Sequence, residues 1–376
     1  MSLKSSPLRS LQEGHWFKLI CGASYQYLPA IEHLTRSYAL AGADCIDVAA
    51  DPGVVAVASQ VLRTLSDWSD SLDLPLRRPW LMVSLNDAED PHFRKAVFDP
   101  QACPPDCPRP CVALCPTQAI RFAAPGVESE PSGVQADRCY GCGRCLPVCP
   151  LQHIQSQSHL VPAAELLPQL LDRDPEPYGI DALELHTQVG HDAAFAALWQ
   201  TIRPWLPRLK LIAISCPYAP GVVDYLRWIA SIVTPLPCPL LWQTDGRPMS
   251  GDIGSGTTHT AIHFAQELLS TDLPGFVQLA GGTNAYTVPK LLSLGLLSST
   301  DPEKEVARKV AGIAYGSYAR KLLDEWLDTC PGVQARPDYG VWLKTAVTQA
   351  QTVVRLLKNR EHRTPRTRHN LASLSL

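Results

Sequence analysis

Eight short apolar runs punctuate the chain, at 16–22, 44–49, 80–85, 181–186, 210–216, 239–243, 275–280 and 310–315. Each is almost continuously apolar over five to seven residues. That pattern suits strands covered on both faces of a parallel sheet. Helix-period stretches lie between them, near 28–41, 53–67, 161–172, 191–203, 220–233, 257–270, 285–294 and 316–328. Eight strand–helix units outside a central segment, in roughly 250–280 residues, predict a (β/α)8 barrel-like α/β fold. An open doubly wound parallel sheet is the runner-up.

The central segment breaks the pattern. It starts just after the third strand and is rich in cysteine, proline and glycine. It therefore reads as an insertion in the third βα loop, on the face where barrel active sites lie. The expected division is a barrel from 1–86 and 161–330, an inserted module at 87–160, and a C-terminal helix with a basic, disordered tail at 331–376. The tail places six basic residues and one acid between Arg355 and Arg368, a solvated segment able to dock an acidic partner.

Composition narrows the classes. The 376 residues are 45% hydrophobic and 18% charged, with a net charge of −3. Such a chain folds, and its charge gives no footprint for nucleic acid. No apolar run approaches the ~18–20 residues of a membrane span. The first sixteen residues lack an apolar signal core, so a cytoplasmic protein is expected.

Thirteen cysteines change the picture, because eight lie between Cys103 and Cys149. The others, Cys21, Cys45, Cys216, Cys238 and Cys330, stand singly in apolar sequence and read as small core residues. The second half of the dense segment is Cys139-Tyr-Gly-Cys142-Gly-Arg-Cys145-Leu-Pro-Val-Cys149-Pro150. In this C-x2-C-x2-C-x3-C-P run three thiolates wrap one iron–sulfur cube and the fourth points to a neighbouring cluster. Zinc, which usually pairs two separated C-x2-C knuckles, fits poorly. The first half, Cys103-x3-Cys107-x3-Cys111-x3-Cys115-Pro116, has wider spacing but a matching tail, Thr117-Gln-Ala-Ile120 against Leu151-Gln-His-Ile154.

This internal repeat resembles the two-cluster bacterial-type ferredoxins over about 50 residues. The resemblance implies two [4Fe-4S] clusters with exchanged ligands. One would sit on Cys139, Cys142, Cys145 and Cys115. The other would sit on Cys103, Cys107, Cys111 and Cys149, where the wider spacing leaves a labile or [3Fe-4S] form open.

Polar residues at the strand ends would line the barrel mouth: Ser24, Asp47, Asp51, Asn86, Asp87, His186, Thr187, Gln243, Asp245 and Asn284. For any one of them, capping a helix or satisfying loop backbone is the better reading. The seventh strand ends in Gly281-Gly282-Thr283 and the eighth in Gly316-Ser317. Glycine amides there are the usual phosphate cradle of this fold, resembling flavin-binding barrels in outline, so these five residues are candidates for FMN. Tight-turn glycine is the alternative. Gly254 and Gly256, before a helix, read as a flexible loop. His259 and His263, four apart, read as a surface helix face.

Longer stretches carry a second resemblance. KLICGASYQYLPAIEHL, AGADCIDVAADP and LMVSLNDAEDPHFRKAVFDP lead into CPPDCPRPC. SCPYAPGVVDYLRWI, WQTDGRPMSGDIGSGTTHTAIHFAQ and QLAGGTNAYTVPKL follow. Together they resemble the cyanobacterial light-dependent period family from about Trp16 to about Asp328. The resemblance implies an iron–sulfur protein on the input side of the circadian clock. It also implies redox sensing as a proxy for light, and association with the input histidine kinase and KaiA. Photosynthetic electron carriers or quinone are candidate redox partners, and the sequence does not identify the electron donor. The alternative is a flavin-type oxidoreductase whose clusters feed a ligand in the barrel mouth.

Overall fold

A computed structural model describes residues 6–75, 77–123, 132–158, 162–171, 179–246, 254–297, 308–327, 330 and 336–358. Its strands are β1 (Trp16–Gly22), β2 (Cys45–Ala49), β3 (Trp80–Asn86), β4 (Arg94–Val97), β5 (Ile120–Arg121) and β6 (Gly133–Val134). They continue as β7 (Gln155–Ser158), β8 (Ile180–His186), β9 (Leu211–Pro217), β10 (Leu240–Asp245), β11 (Phe276–Ala280) and β12 (Gly312–Tyr315). Eight of them, β1–β3 and β8–β12, close into an all-parallel barrel in which every chain neighbour is a spatial neighbour and β12 pairs β1. The barrel, rather than the open sheet, is the fold.

The helices are α1 (Pro7–Gln12), α2 (Leu28–Ala41), α3 (Pro52–Arg63), α4 (Leu65–Ser71), α5 (Pro110–Leu114) and α6 (Ala163–Leu171). They continue as α7 (Asp192–Ile202), α8 (Val222–Val233), α9 (Thr258–Leu269), α10 (Thr287–Ser293), α11 (Ser317–Lys321), α12 (Asp324–Leu327) and α13 (Arg336–Lys358). Two expected helices are each broken in two. The stretch near 53–67 ends at Thr64, whose backbone leaves the helical region, and that near 316–328 divides between α11 and α12. The Thr64 hydroxyl turns back onto the Gln60 carbonyl, a bond that competes with helix continuation. Residues 359–368 of the basic tail lie outside the described residues.

Outward strand positions such as Leu19, Val48, Val83, Leu183 and Ile214 join the helices in one apolar core. Inward positions change character along the barrel axis. At the N-terminal end Trp16, Cys45, Met82, Ala182 and Leu241 pack under Leu11 of α1, which plugs the bottom. One step further along, the same strands point Lys18, Asp47, Ser84, Glu184 and Gln243 inward, all buried. Period-2 alternation is therefore present but hidden, because both faces are covered.

Between β3 and β8 the chain leaves the barrel. β4 and β7 pair antiparallel, Arg94 opposite Ser158 through Val97 opposite Gln155, and form a stem. Beyond the stem a separate small core gathers Cys111, Ile120, Cys145, Cys149 and Ile154. The stem leans on the barrel rim. Lys95 donates to the Gln26 side chain and the Ala136 carbonyl, both at 2.5 Å, and the Arg138 guanidinium lies 3.9 Å over the Tyr27 ring.

Candidate metal centre and barrel mouth

Among the described residues the eight clustered cysteines fall into two groups of four. Cys115, Cys139, Cys142 and Cys145 line one cavity, walled by Ile120, Val134 and Leu146. Cys103, Cys107, Cys111 and Cys149 line a second, walled by Phe98, Phe122 and Ile154. None of the thirteen cysteines is in a disulfide. Cys21, Cys45 and Cys216 are buried, and Cys238 and Cys330 are half-buried.

Backbone amides aim at the sulfurs: Ala96 N donates to Cys139 Sγ at 3.3 Å and Ala119 N to Cys115 Sγ at 3.1 Å. His153 Nε2 lies 3.4 Å from Cys103 Sγ. Burial raises the Cys149 thiol pKa, but the amides of residues 151–154 outweigh it and leave the thiol below its usual range. Burial, together with the adjacent Cys142 and Cys139, pushes Cys145 up to about 12. Four thiols per cavity, apolar walls and amide donors are the donor chemistry of iron–sulfur clusters.

The loop carrying Cys139, Cys142 and Cys145 depends on one glycine. Gly141 has φ +73°, and a Cβ there would lie 2.1 Å from the Arg94 carbonyl oxygen. Gly141→Ala should therefore push the Cys139–Cys145 loop off β4. The expected outcome is loss of the chromophore bound by Cys139, Cys142 and Cys145 with the other site retained, read by iron content and visible absorbance.

The loop also reaches into the barrel mouth. Tyr140 is buried there, with the Arg320 guanidinium 4.3 Å over its ring and Tyr25 edge-on at 6.0 Å. Arg320 Nη1 donates to the Ile20 and Cys21 carbonyls at 2.8 and 3.1 Å. Cys142 thus shares one cavity with Ser84, Glu184, His186, Gln243 and Asp245 of the barrel.

A polar network fills the barrel beneath that cavity. Trp16 donates to Gln278, Gln278 to Gln243, and Gln243 to Glu184 (2.8 Å) and Ser215 (3.0 Å). Lys18 is paired with Glu184 and lies 3.3 Å from Asp47, which accepts from Ser84 at 2.7 Å. Burial favours a neutral Lys18, yet Glu184 and Asp47 win and its pKa lies above the usual value. Burial raises both acids, but Lys18 and then His186 pull Glu184 down to about 2, while Asp47 ends near about 6. Lys18→Met strands two carboxylates in the barrel and should cost about 3–5 kcal/mol. Lys18→Met with Glu184→Leu should recover part of that loss. Denaturant unfolding of the two variants checks both statements.

Of the polar residues expected at the mouth, Asp47, Gln243 and, through Glu184, His186 join this network, and Asp245 lies beside it against His92. Asp51 caps α3 through Val54 N, and Asn284 bonds Tyr286 N and the Gly254 carbonyl, so both are structural. Asp87 and Thr187 bond each other, and Asp87 also pairs with His191 at 2.9 Å. Ser24 is buried, and Asn86 bonds the Ala88 carbonyl. Gly281, Gly282, Thr283, Gly316 and Ser317 do share one wall of the cavity. Gly282 also has a packing reason, since a Cβ there would meet the Thr257 carbonyl at 2.5 Å. The Thr283 hydroxyl is spent on the Ala314 carbonyl, and the Ser317 hydroxyl accepts from Arg320. His259 and His263 are exposed on α9, a surface face as expected, and residues 251–253 lie outside the described residues.

Four residues of the mouth were not legible as site residues. Lys18 and Glu184 sit inside strand runs as single charges flanked by apolar residues, and that interruption is the signal. Asp90 and His92 lie in the loop after β3 with no periodic pattern around them. His92 donates to Asp90 at 2.7 Å and lies 3.0 Å from Asp245. Burial alone would lower its pKa, but hydrogen bonds to Asp245 and Asp90 raise it to about 10.

Comparison with known proteins follows these features. Residues 103–160 match the family model described as the LdpA Fe-S cluster-binding domain. Residues 176–356 match that of the Light dependent period A C-terminal domain. Light dependent period A of Synechococcus elongatus is 53% identical over 358 residues, covering 94% of each chain. The chain therefore belongs to the light-dependent period A family.

Proposed function

We propose that the protein is an iron–sulfur redox sensor that relays cellular redox state, and through it light, to the circadian clock. The observation that carries this reading is the grouping of eight free cysteines into two four-thiol cavities. On this reading each cavity holds a [4Fe-4S] cluster, with Cys115 and Cys149 exchanged between the halves of the repeat. The first-half site takes a labile or [3Fe-4S] form most readily, given its spacing. Clusters held by these eight cysteines would supply one-electron exchange with a photosynthetic carrier or quinone in the cytoplasm. The Tyr140–Arg320 contact, which joins the cysteine loop to the barrel, is where a change of charge in the loop would reach the barrel. The name of the Synechococcus relative, Light dependent period A, supports a clock role. The input histidine kinase and KaiA are the partners this reading names.

The test is binding of those two purified proteins to anaerobic protein, oxidised and dithionite-reduced. A difference in affinity between the two states supports sensing. Equal affinity makes the clusters structural. A flavin-type oxidoreductase is the second reading. It is favoured by one observation, that Cys142 and the five residues from Gly281 to Ser317 line the same cavity. Resolved flavin bands in the spectrum of the purified protein would select it.

A further inference from the structure

We propose that Asp90, His92 and His186 form a binding site for one divalent first-row metal ion, distinct from the cysteine cavities. One donor atom from each lies within 4.8 Å of the other two. The imidazole rings of His92 and His186 are neighbours, tilted by 55° with centroids 4.9 Å apart. Their Nδ1 atoms converge on one carboxylate, Asp90 Oδ1, at 2.7 and 4.0 Å. Their far nitrogens are each held by another carboxylate, His92 Nε2 by Asp245 at 3.0 Å and His186 Nε2 by Glu184 at 3.1 Å. Metal-ligating histidines are oriented in this way: one ring nitrogen faces the ion and the other donates to a carboxylate that fixes the tautomer. Two such pairs meeting at a third carboxylate make a two-histidine, one-carboxylate donor set with positions left for a ligand from the cavity. That set suits Fe2+, Zn2+ or Mn2+ rather than a soft ion such as Cu+ or a purely oxygen-bound ion such as Ca2+.

Two further observations point the same way. Asp245 is 2% exposed, lines the cavity, and its Oδ1 has no hydrogen-bond partner. Asp47, Asp90, Glu184 and Asp245 are four buried carboxylates, and Lys18 is the buried ammonium among them. These carboxylates outnumber the cations among them, Lys18 and His92, so the pocket is acidic and attracts a divalent cation. Asp90 and His92 sit at the root of the inserted module and His186 ends a barrel strand, so the ion would fasten one to the other.

The experiment offers Mn2+ or Zn2+ separately to anaerobic holoprotein, desalts it, and measures manganese, zinc, iron and labile sulfide per chain. The expected result is one equivalent of manganese or zinc, or one iron beyond the labile sulfide. That equivalent should vanish in His92→Ala, His186→Ala and the shape-preserving Asp90→Asn, and persist in His263→Ala on the surface of α9. Asp245→Asn should weaken binding roughly 10–100-fold, because it loosens one ring without removing a ligand. Labile sulfide at the parental level shows that each variant has kept its module, and a parental cooperative melt shows that it has kept its barrel. The proposal is overturned if no such equivalent is found in the parental protein, or if it survives in the three ligand variants.

Discussion

A chain cut to residues 176–356, the span of the C-terminal family model, will not fold alone. It keeps β8–β12 and discards β1–β3, so the barrel opens along two seams. β8 loses its pairing with β3, from Leu81 opposite Ile180 to Asn86 opposite His186. β12 loses β1, from Trp16 opposite Gly312 to Leu19 opposite Tyr315. Both new edges are apolar and unprotected, the arrangement that drives edge-to-edge aggregation. Glu184 loses Lys18. α13 loses α2, against which Tyr339, Trp342 and Leu343 are buried. The fragment should be insoluble or lack cooperative unfolding, and co-expression with residues 6–171 should restore a soluble complex. A monomeric fragment with a sharp thermal transition and dispersed amide resonances would show that the C-terminal segment folds independently.

The opposite cut should succeed. Removing residues 95–157 and joining the ends with a short linker should leave a folded, colourless barrel. The stem makes this feasible, because Arg94 lies opposite Ser158 and the ends already meet. Cutting here rather than at 87 keeps Asp87, Asp90, His92 and Phe93, which pack on the barrel mouth. The main loss is the buried Tyr140 ring, about 1.5–3 kcal/mol. A barrel core of this extent can absorb that, since insertions with their own core are separable at close loop ends. Far-ultraviolet dichroism and a single cooperative melt are the expected readouts, and an unfolded product would mean that module and barrel stabilise each other.

Much of the barrel was readable because buried parallel strands are short apolar runs. The run at 16–22 coincides with β1, and the helical stretch at 28–41 coincides with α2. The two groups of four were expected from the resemblance of the cysteine repeat to two-cluster ferredoxins, which spacing alone does not supply. The barrel's polar interior was harder to read. In WFKLICG the lysine, and in DALELH the glutamate between two leucines, look like noise until closure places Lys18 and Glu184 side by side. Asp90 and His92 carry no local pattern, and only the pairing of β3 with β8 brings them to His186. The short strands β4–β7 were also hidden, because two- and four-residue ladders leave no periodicity to detect.

The most direct test of the account is iron and sulfide analysis of anaerobic parental protein and Cys149→Ser, followed by spectroscopy of the reduced clusters. The account predicts about eight cluster irons per chain in the parent. In Cys149→Ser the cluster on Cys103, Cys107 and Cys111 should be lost or altered while that on Cys115, Cys139, Cys142 and Cys145 remains. Zinc in place of iron, or a Cys149→Ser protein whose damage falls on the Cys139–Cys142–Cys145 cluster, would contradict it.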